Sequence, residues 1–126
     1  REFKFDKRVI QSHPLGFFDY NKLQQNAFCV VSDSGTLSEE SAYFRFPAVS
    51  VRTSTERPEA MDKGVFVIGS IMAEKVLQAV ELATQMHRNG DDACDVPAYI
   101  EDNVSTKVVK IIQSYTGVVN KMVWRK

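Results

Sequence analysis

Between Val30 and Glu40 the chain reads Val-Val-Ser-Asp-Ser-Gly-Thr-Leu-Ser-Glu-Glu, and most of the chemistry it could perform is concentrated there. An apolar run gives way to a hydroxyl-rich turn on one glycine, and a helical pattern follows. The first amides of a helix have no partner inside it and sit at its positive end. A turn of this kind therefore suits an anion, phosphate above all. Ser34 and Thr36 add hydroxyl donors on either side of Gly35. Glu40 lies one turn further in. A carboxylate there is badly placed for phosphate but can accept two hydrogen bonds from a ribose diol, which makes a nucleotide the natural guest. The same residue types also fit a plainer role, in which Asp33 or Ser34 merely caps the helix. The run is not a P-loop, because the Gly-Lys-Ser/Thr ending is missing.

A second polar stretch, Thr53-Ser54-Thr55-Glu56-Arg57-Pro58-Glu59, follows another apolar run. Arg57, fixed beside a proline, can reach an anion at the neighbouring strand end. A solvated loop with a weak Arg–Glu surface pair is the alternative. His13 lies in a loop and His87 at a helix end, each without a Ser or Cys nucleophile at a useful spacing, so a catalytic triad has no support. Phe18 and Tyr20 can border a base or fill a core. The basic tail from Lys121 to Lys126, with Trp124, reads as a solvated helix end.

These residues need a scaffold, and the pattern supplies one. Phe28–Val31, Ala48–Val51 and Val65–Ile68 are short, β-rich apolar runs, and Val9-Ile10 is a weaker one. The first of these reads as a buried strand of a parallel sheet. Between them lie helical stretches over Phe17–Asn26, with Phe17, Tyr20, Leu23 and Gln24 on one side, and over Thr36–Arg45, which Pro47 ends. Ser70 can cap a helix to Arg88 that stops at Asn89-Gly90, with a broad apolar face from Ile71 to Met86. Asp91–Pro97 reads as an acidic linker. A last helical region covers about residues 105–124, with a bend expected at Gly117. Strand, helix, strand, loop, strand, helix predicts an α/β, Rossmann-like parallel sheet with helices on both faces.

Composition agrees with a globular domain: 126 residues, 44% hydrophobic and 25% charged, make one core rather than a disordered chain. Sixteen basic residues balance sixteen acidic ones, which excludes a global positive field for nucleic acid. No apolar run reaches the roughly 20 residues that cross a bilayer. Cys29 and Cys94 lack metal-ligand spacing, and Cys29 inside Phe28–Val31 reads as a buried free thiol of a reducing, cytoplasmic setting. The chain opens on Arg-Glu-Phe-Lys-Phe, without Met or a signal-peptide pattern, and is read as a trimmed chain or one piece of a larger protein.

In order and at their spacing, Asp33-Ser34-Gly35-Thr36-Leu37-Ser38-Glu39-Glu40, Pro47 and Thr55-Glu56-Arg57-Pro58-Glu59-Ala60 resemble the C-terminal domain of the non-hydrolysing UDP-N-acetylglucosamine 2-epimerases. That family shows Asp-Ser-Gly-Gly-x-x-Glu-Glu and then Thr-Glu-Arg-Pro-Glu. Pro14-Leu15-Gly16-Phe17-x-x-Tyr20 resembles the stretch before this site, so the match spans Pro14 to Gly69. The resemblance implies that residues 1–126 are the UDP-sugar-binding C-terminal domain, one half of a GT-B-like two-domain fold. It implies a diphosphate held by Ser34, Gly35 and Thr36, ribose hydroxyls on Glu40, Arg57 facing the same site and Tyr20 bordering the base. It implies C2 inversion of a UDP-linked amino sugar through elimination and re-addition of UDP, with no metal or cofactor. The acid and base groups would belong to an N-terminal domain outside this chain, leaving the isolated chain without catalytic residues, and the full-length protein is expected to be a homodimer. One departure stands out: Thr36 replaces the usual second glycine. With Phe17-Phe18-Asp19-Tyr20 and the Trp124 ending, it resembles the branch acting on UDP-linked deoxy-amino sugars of capsule or O-antigen synthesis. The donor-binding domain of a GT-B glycosyltransferase and a non-catalytic α/β binding domain are the alternatives.

Overall fold

The computed structural model describes residues 4–91 and 95–126. Its centre is a parallel sheet of three short strands, β1 (Val30–Ser32), β2 (Ala48–Ser50) and β3 (Val67–Ile68), in the order β1-β2-β3. Val31 pairs with Val49 and Ser32 with Ser50 on one side of β2, and Val49 pairs with Val67 on the other. Parallel neighbours need a crossover, and the chain supplies one between each pair. Helix α2 (Leu37–Phe44) links β1 to β2, and the short helix α3 (Pro58–Asp62) links β2 to β3. The expected α/β fold, with helices on both faces of a parallel sheet, is the one found.

Successive strand residues face opposite sides, so β2 feeds two cores. Ala48 joins Leu37, Phe46, Ala60, Phe66 and Val96 beneath α2, α3 and the four-residue helix α5 (Pro97–Ile100). Val49, fully buried at 0% exposure, points the other way onto Ala79 and Ala83 of α4 (Ala73–Arg88). Helix α2 ends where Arg45 adopts a left-handed φ of 56° and Pro47 closes the turn, its carbonyl accepting from Val30 at 2.9 Å. Gly90, with φ 77°, follows the end of α4 as Asn89-Gly90 suggested. Helix α1 (Phe17–Gln25) precedes the sheet, and α6 (Val104–Val119) follows it.

Several boundaries differ from the sequence expectation. Val9-Ile10 forms no strand; Ile10 is 89% exposed and lies in extended coil. The first strand begins at Val30, and it is a sheet edge with Phe28 and Val31 exposed instead of a strand buried on both faces. On α1 the buried residues are Asn21 and Gln24, while Phe17 and Leu23 are exposed. The exposed side of α4 likewise keeps Leu77 and Leu82, because the small Ala79 and Ala83 are what fit closely against the sheet. Ser70 is not a cap: it takes a left-handed φ of 64°, and α4 starts three residues later. The polar loop after β2 contains α3, started by Pro58 at its first position. The linker before Pro97 hides Val96, which is buried. Cys29 is free and half-buried, and burial pushes its thiol up; Cys94 lies outside the described residues. Gly117 does not break α6, which runs through it and widens to a π-helical turn at Asn120–Trp124. Every residue from 101 to 126 is exposed, including the apolar stripe of Val108, Ile111, Ile112, Tyr115 and Val119. No helix among the described residues is long and apolar enough to cross a membrane.

Candidate functional site

The turn between β1 and α2 stands at the carboxyl end of the sheet, where open α/β sheets receive ligands. Its geometry is built from short-range hydrogen bonds. The Ser34 N–H donates to Ser32 Oγ at 3.0 Å, the Thr36 N–H to Ser34 Oγ at 3.3 Å, and the two hydroxyls of Ser34 and Thr36 lie 2.9 Å apart. Thr36 occupies the N-cap position of α2, yet its side chain makes no capping bond. Asp33 does not cap the helix either: its carbonyl accepts from Arg52 Nε at 2.6 Å, tying the turn to the chain after β2. No side chain therefore caps α2: the Ser34 hydroxyl bonds the amide of Thr36, the residue just before the helix.

Across the carboxyl ends of the strands lies the second polar stretch. Ser34, Gly35 and Ser38 form one wall of a cavity of about 30 Å³, and Arg52, Thr55 and Arg57 the other. That space holds a water or two, so a larger anion would lie over its mouth. Arg57 is oriented twice, by its N–H on Thr55 Oγ1 at 3.0 Å and by its Nε on Glu39 Oε1 at 3.0 Å. Among the described residues its two terminal nitrogens make no hydrogen bond, so the charge that lines the cavity keeps donors to spare. Glu39 Oε2 is buried with no partner.

Glu40 turns the other way. Adjacent helical residues point about 100° apart, so Glu39 meets Arg57 while Glu40 meets α1. Gln24 Nε2 donates to Glu40 Oε2 at 2.7 Å and the Tyr20 hydroxyl reaches the same oxygen at 3.5 Å. Burial, and after it the Glu40 charge, hold the Tyr20 phenol above its ordinary range, so it stays a donor. Further out, the Tyr99 hydroxyl donates to Glu59 Oε1 at 2.8 Å. Burial first, then that bond and the charges of Glu59 and Glu39, push the Tyr99 phenol far up, against the opposing effect of Arg57. The guanidinium is thus held by Glu39 of α2, while the Glu59–Tyr99 pair of α3 and α5 acts on it through charge.

The six residues singled out from sequence fall around one end of the sheet. Ser34, Gly35, Thr36 and Arg57 gather at the cavity or its rim, and Glu40 and Tyr20 meet each other beside it. Gln24, Glu39, Arg52 and Tyr99 were not assigned roles from sequence. Tyr20 and Gln24 are four apart on a helix, which puts them on one face, but their meeting with Glu40 is tertiary and has no local signal. His13 and His87 are both exposed. Among the described residues no His, Cys, Asp and Glu are gathered as a metal ion would require.

The family profile described as UDP-N-acetylglucosamine 2-epimerase matches residues 2–113, most of the chain. The chain belongs to that family. A curated UDP-N-acetylglucosamine 2-epimerase of Methanocaldococcus jannaschii is 31% identical over 88 residues, 70% of this chain and 24% of the relative. Its counterpart in Methanococcus maripaludis is 33% identical over 76 residues, 60% of this chain and 21% of that one. The solved UDP-N-acetylglucosamine 2-epimerase from Rickettsia bellii is 46% identical with a TM-score of 0.76, covering 87% of this chain and 30% of that structure. The chain therefore spans about a quarter of the length of the curated relatives it matches. The matched family is one of epimerases, not of glycosyltransferases.

Proposed function

We propose that this chain is the UDP-binding, C-terminal part of an isomerase that inverts C2 of a UDP-linked amino sugar. The observation that carries the reading is the division of labour between Glu39 and Glu40 behind one glycine turn. Ser34 and Gly35 face a cavity across from Arg57, with the Thr36 hydroxyl beside that of Ser34, which suits a diphosphate. Glu40, one turn deeper and drawn off solvent by Gln24 and Tyr20, suits a ribose diol. The aromatic ring of Tyr20 borders the base. Thr36 narrows the backbone approach that a second glycine would leave open, and its hydroxyl, 2.9 Å from that of Ser34, offers a donor in exchange.

In such a reaction UDP leaves C1 as a base takes the C2 proton, a glycal-type intermediate forms, and UDP and a proton add back with C2 inverted. Departure places extra negative charge on the diphosphate. The spare Arg57 donors, already oriented by Thr55 and Glu39, stabilise that charge, and the Ser34 and Thr36 amides join them by giving up their hydroxyl contacts within the turn. They also keep UDP from diffusing away before it re-adds. The acid and base groups lie in a further domain of the full-length protein, a dimer in this reading, working in the cytoplasm that a free Cys29 thiol fits. Thr36 and the Phe17-Phe18-Asp19-Tyr20 run support a UDP-deoxy-amino sugar of capsule or O-antigen synthesis as substrate.

Titrating the 126-residue chain with UDP tests this. Amide shifts are expected to cluster at Ser34–Glu40 and at Arg57, with weak affinity and no epimerisation of UDP-N-acetylhexosamines. Shifts that are absent or scattered over the surface would sink the binding assignment, and turnover by the chain alone would sink the division into domains. Arg57→Lys is expected to weaken UDP about five-fold, the loss of roughly 1 kcal/mol of planar, two-donor contact. Its stability should change by less than about 0.5 kcal/mol, because the half-exposed Glu39 pair contributes little. Equal UDP affinity in the two proteins would remove Arg57 from the site.

A further inference from the structure

We propose that Gln24 is a positioning residue that fixes the Glu40 carboxylate for the ribose, and that it sets the preference for a nucleotide with an intact diol. The inference rests on the reading of Glu40 as the ribose acceptor and extends it to a residue that never touches the ligand.

Gln24 is 3% exposed, and its Nε2 donates to Glu40 Oε2 at 2.7 Å. The other end of the amide has nothing to do: Gln24 Oε1 is buried without a partner. A buried, unpaired carbonyl costs stability, and a leucine of similar volume would not incur that cost. The orientation is nevertheless forced, since turning the amide over would set its oxygen against the Glu40 carboxylate. The side chain is thus poorly matched to its own surroundings and well matched to Glu40. A residue that breaks the local packing rule in this way is expected where function demands it.

The effect on Glu40 is specific. Gln24 and Tyr20, one turn apart on α1, both aim at Oε2. Among the described residues no donor reaches Oε1. One oxygen is anchored from behind and the other is left with both lone pairs for incoming hydroxyls. Without Gln24, only the long Tyr20 contact would restrain the carboxylate, and each hydrogen bond to the diol would have to order it first.

The test compares UDP with 3′-deoxy-UDP, which lacks one diol hydroxyl, on the wild-type chain and on Gln24→Leu. The wild type is expected to prefer UDP about ten-fold, the worth of one hydrogen bond to a charged group. Gln24→Leu should cut that preference to about two-fold while melting no lower than the wild type. The ratio of two affinities is insensitive to the fraction of folded protein, and Gln24→Met gives a second variant should the leucine form not fold. A full ten-fold preference in both variants overturns the positioning role and leaves Glu40 as ribose acceptor. Equal affinities in the wild type itself show that Glu40 does not take the diol, and both readings fall together.

Discussion

Gly69→Val is expected to destabilise the fold by about 3 kcal/mol, the upper range for side chains forced into a packed core. A Cβ at Gly69 would lie 2.7 Å from Val49 Cγ1 and 3.4 Å from both Ala79 Cβ and the Val76 backbone. Real carbon contacts do not close to 2.7 Å, and the obstacle cannot swing aside. Val49 is β-branched, fully buried and hydrogen-bonded into the central strand. Gly69 itself is tied down, its N–H donating to the Ser50 carbonyl at 2.8 Å. Either α4 lifts off the sheet or β2 bends. Both routes open the smaller core, where Ala79 and Ala83 make the closest approach. Chemical denaturation of the two proteins measures the effect, and a midpoint within error of the wild type would show that α4 can move freely.

The opposite behaviour is expected at Gly35. A Cβ there would meet no atom within 4 Å, and its backbone lies outside the left-handed region. Nothing in the fold therefore requires glycine, and Gly35→Val should melt within about 0.5 kcal/mol of the wild type. UDP affinity, by contrast, should fall roughly a hundred-fold. The side chain would fill the space above the helix-start amides and displace at least two charge-assisted hydrogen bonds, at about 1.5 kcal/mol each. Calorimetric titration and a thermal melt of one variant decide the matter. A loss of stability in step with binding would assign the glycine to the fold, and unchanged binding would move the phosphate elsewhere.

The two glycines show what a sequence can and cannot reveal. Gly35 was legible because a glycine between hydroxyls, after an apolar run and before a helix, is a local pattern. Gly69 read only as the stop of a strand, because the approach of α4 is a tertiary fact. The parallel sheet was legible for the same local reason: Val-rich runs of four residues alternate with helical stretches. Its strands came out shorter than the runs, since pairing stops where neighbours end. Val65 and Phe66 are buried in a core rather than paired. Val9 and Ile10 have the right residue types but no partner. Around the site, Glu40 is singled out in the sequence by its place one turn into the helix, whereas the pairing of Glu39 with Arg57 and of Glu40 with Gln24 is tertiary and has no local signal. Tyr99 of α5 lies beyond the linker read as Asp91–Pro97 and before the last helical region, in residues where Pro97 alone is a local signal for a helix start.

Strand β1 has one further consequence. It forms the rim of the sheet, and the chain proceeds from it in one direction only, through β2 to β3. Its outer row of backbone groups can accept another parallel strand without disturbing what lies behind it. A strand added there, from which the chain winds the opposite way, would make β1 the place where the winding reverses. In doubly wound sheets a crevice opens at that reversal, between loops that leave in opposite directions. The hydroxyl turn over Gly35 already stands on that seam, so lengthening the sheet would deepen the groove around it and leave its own contacts untouched.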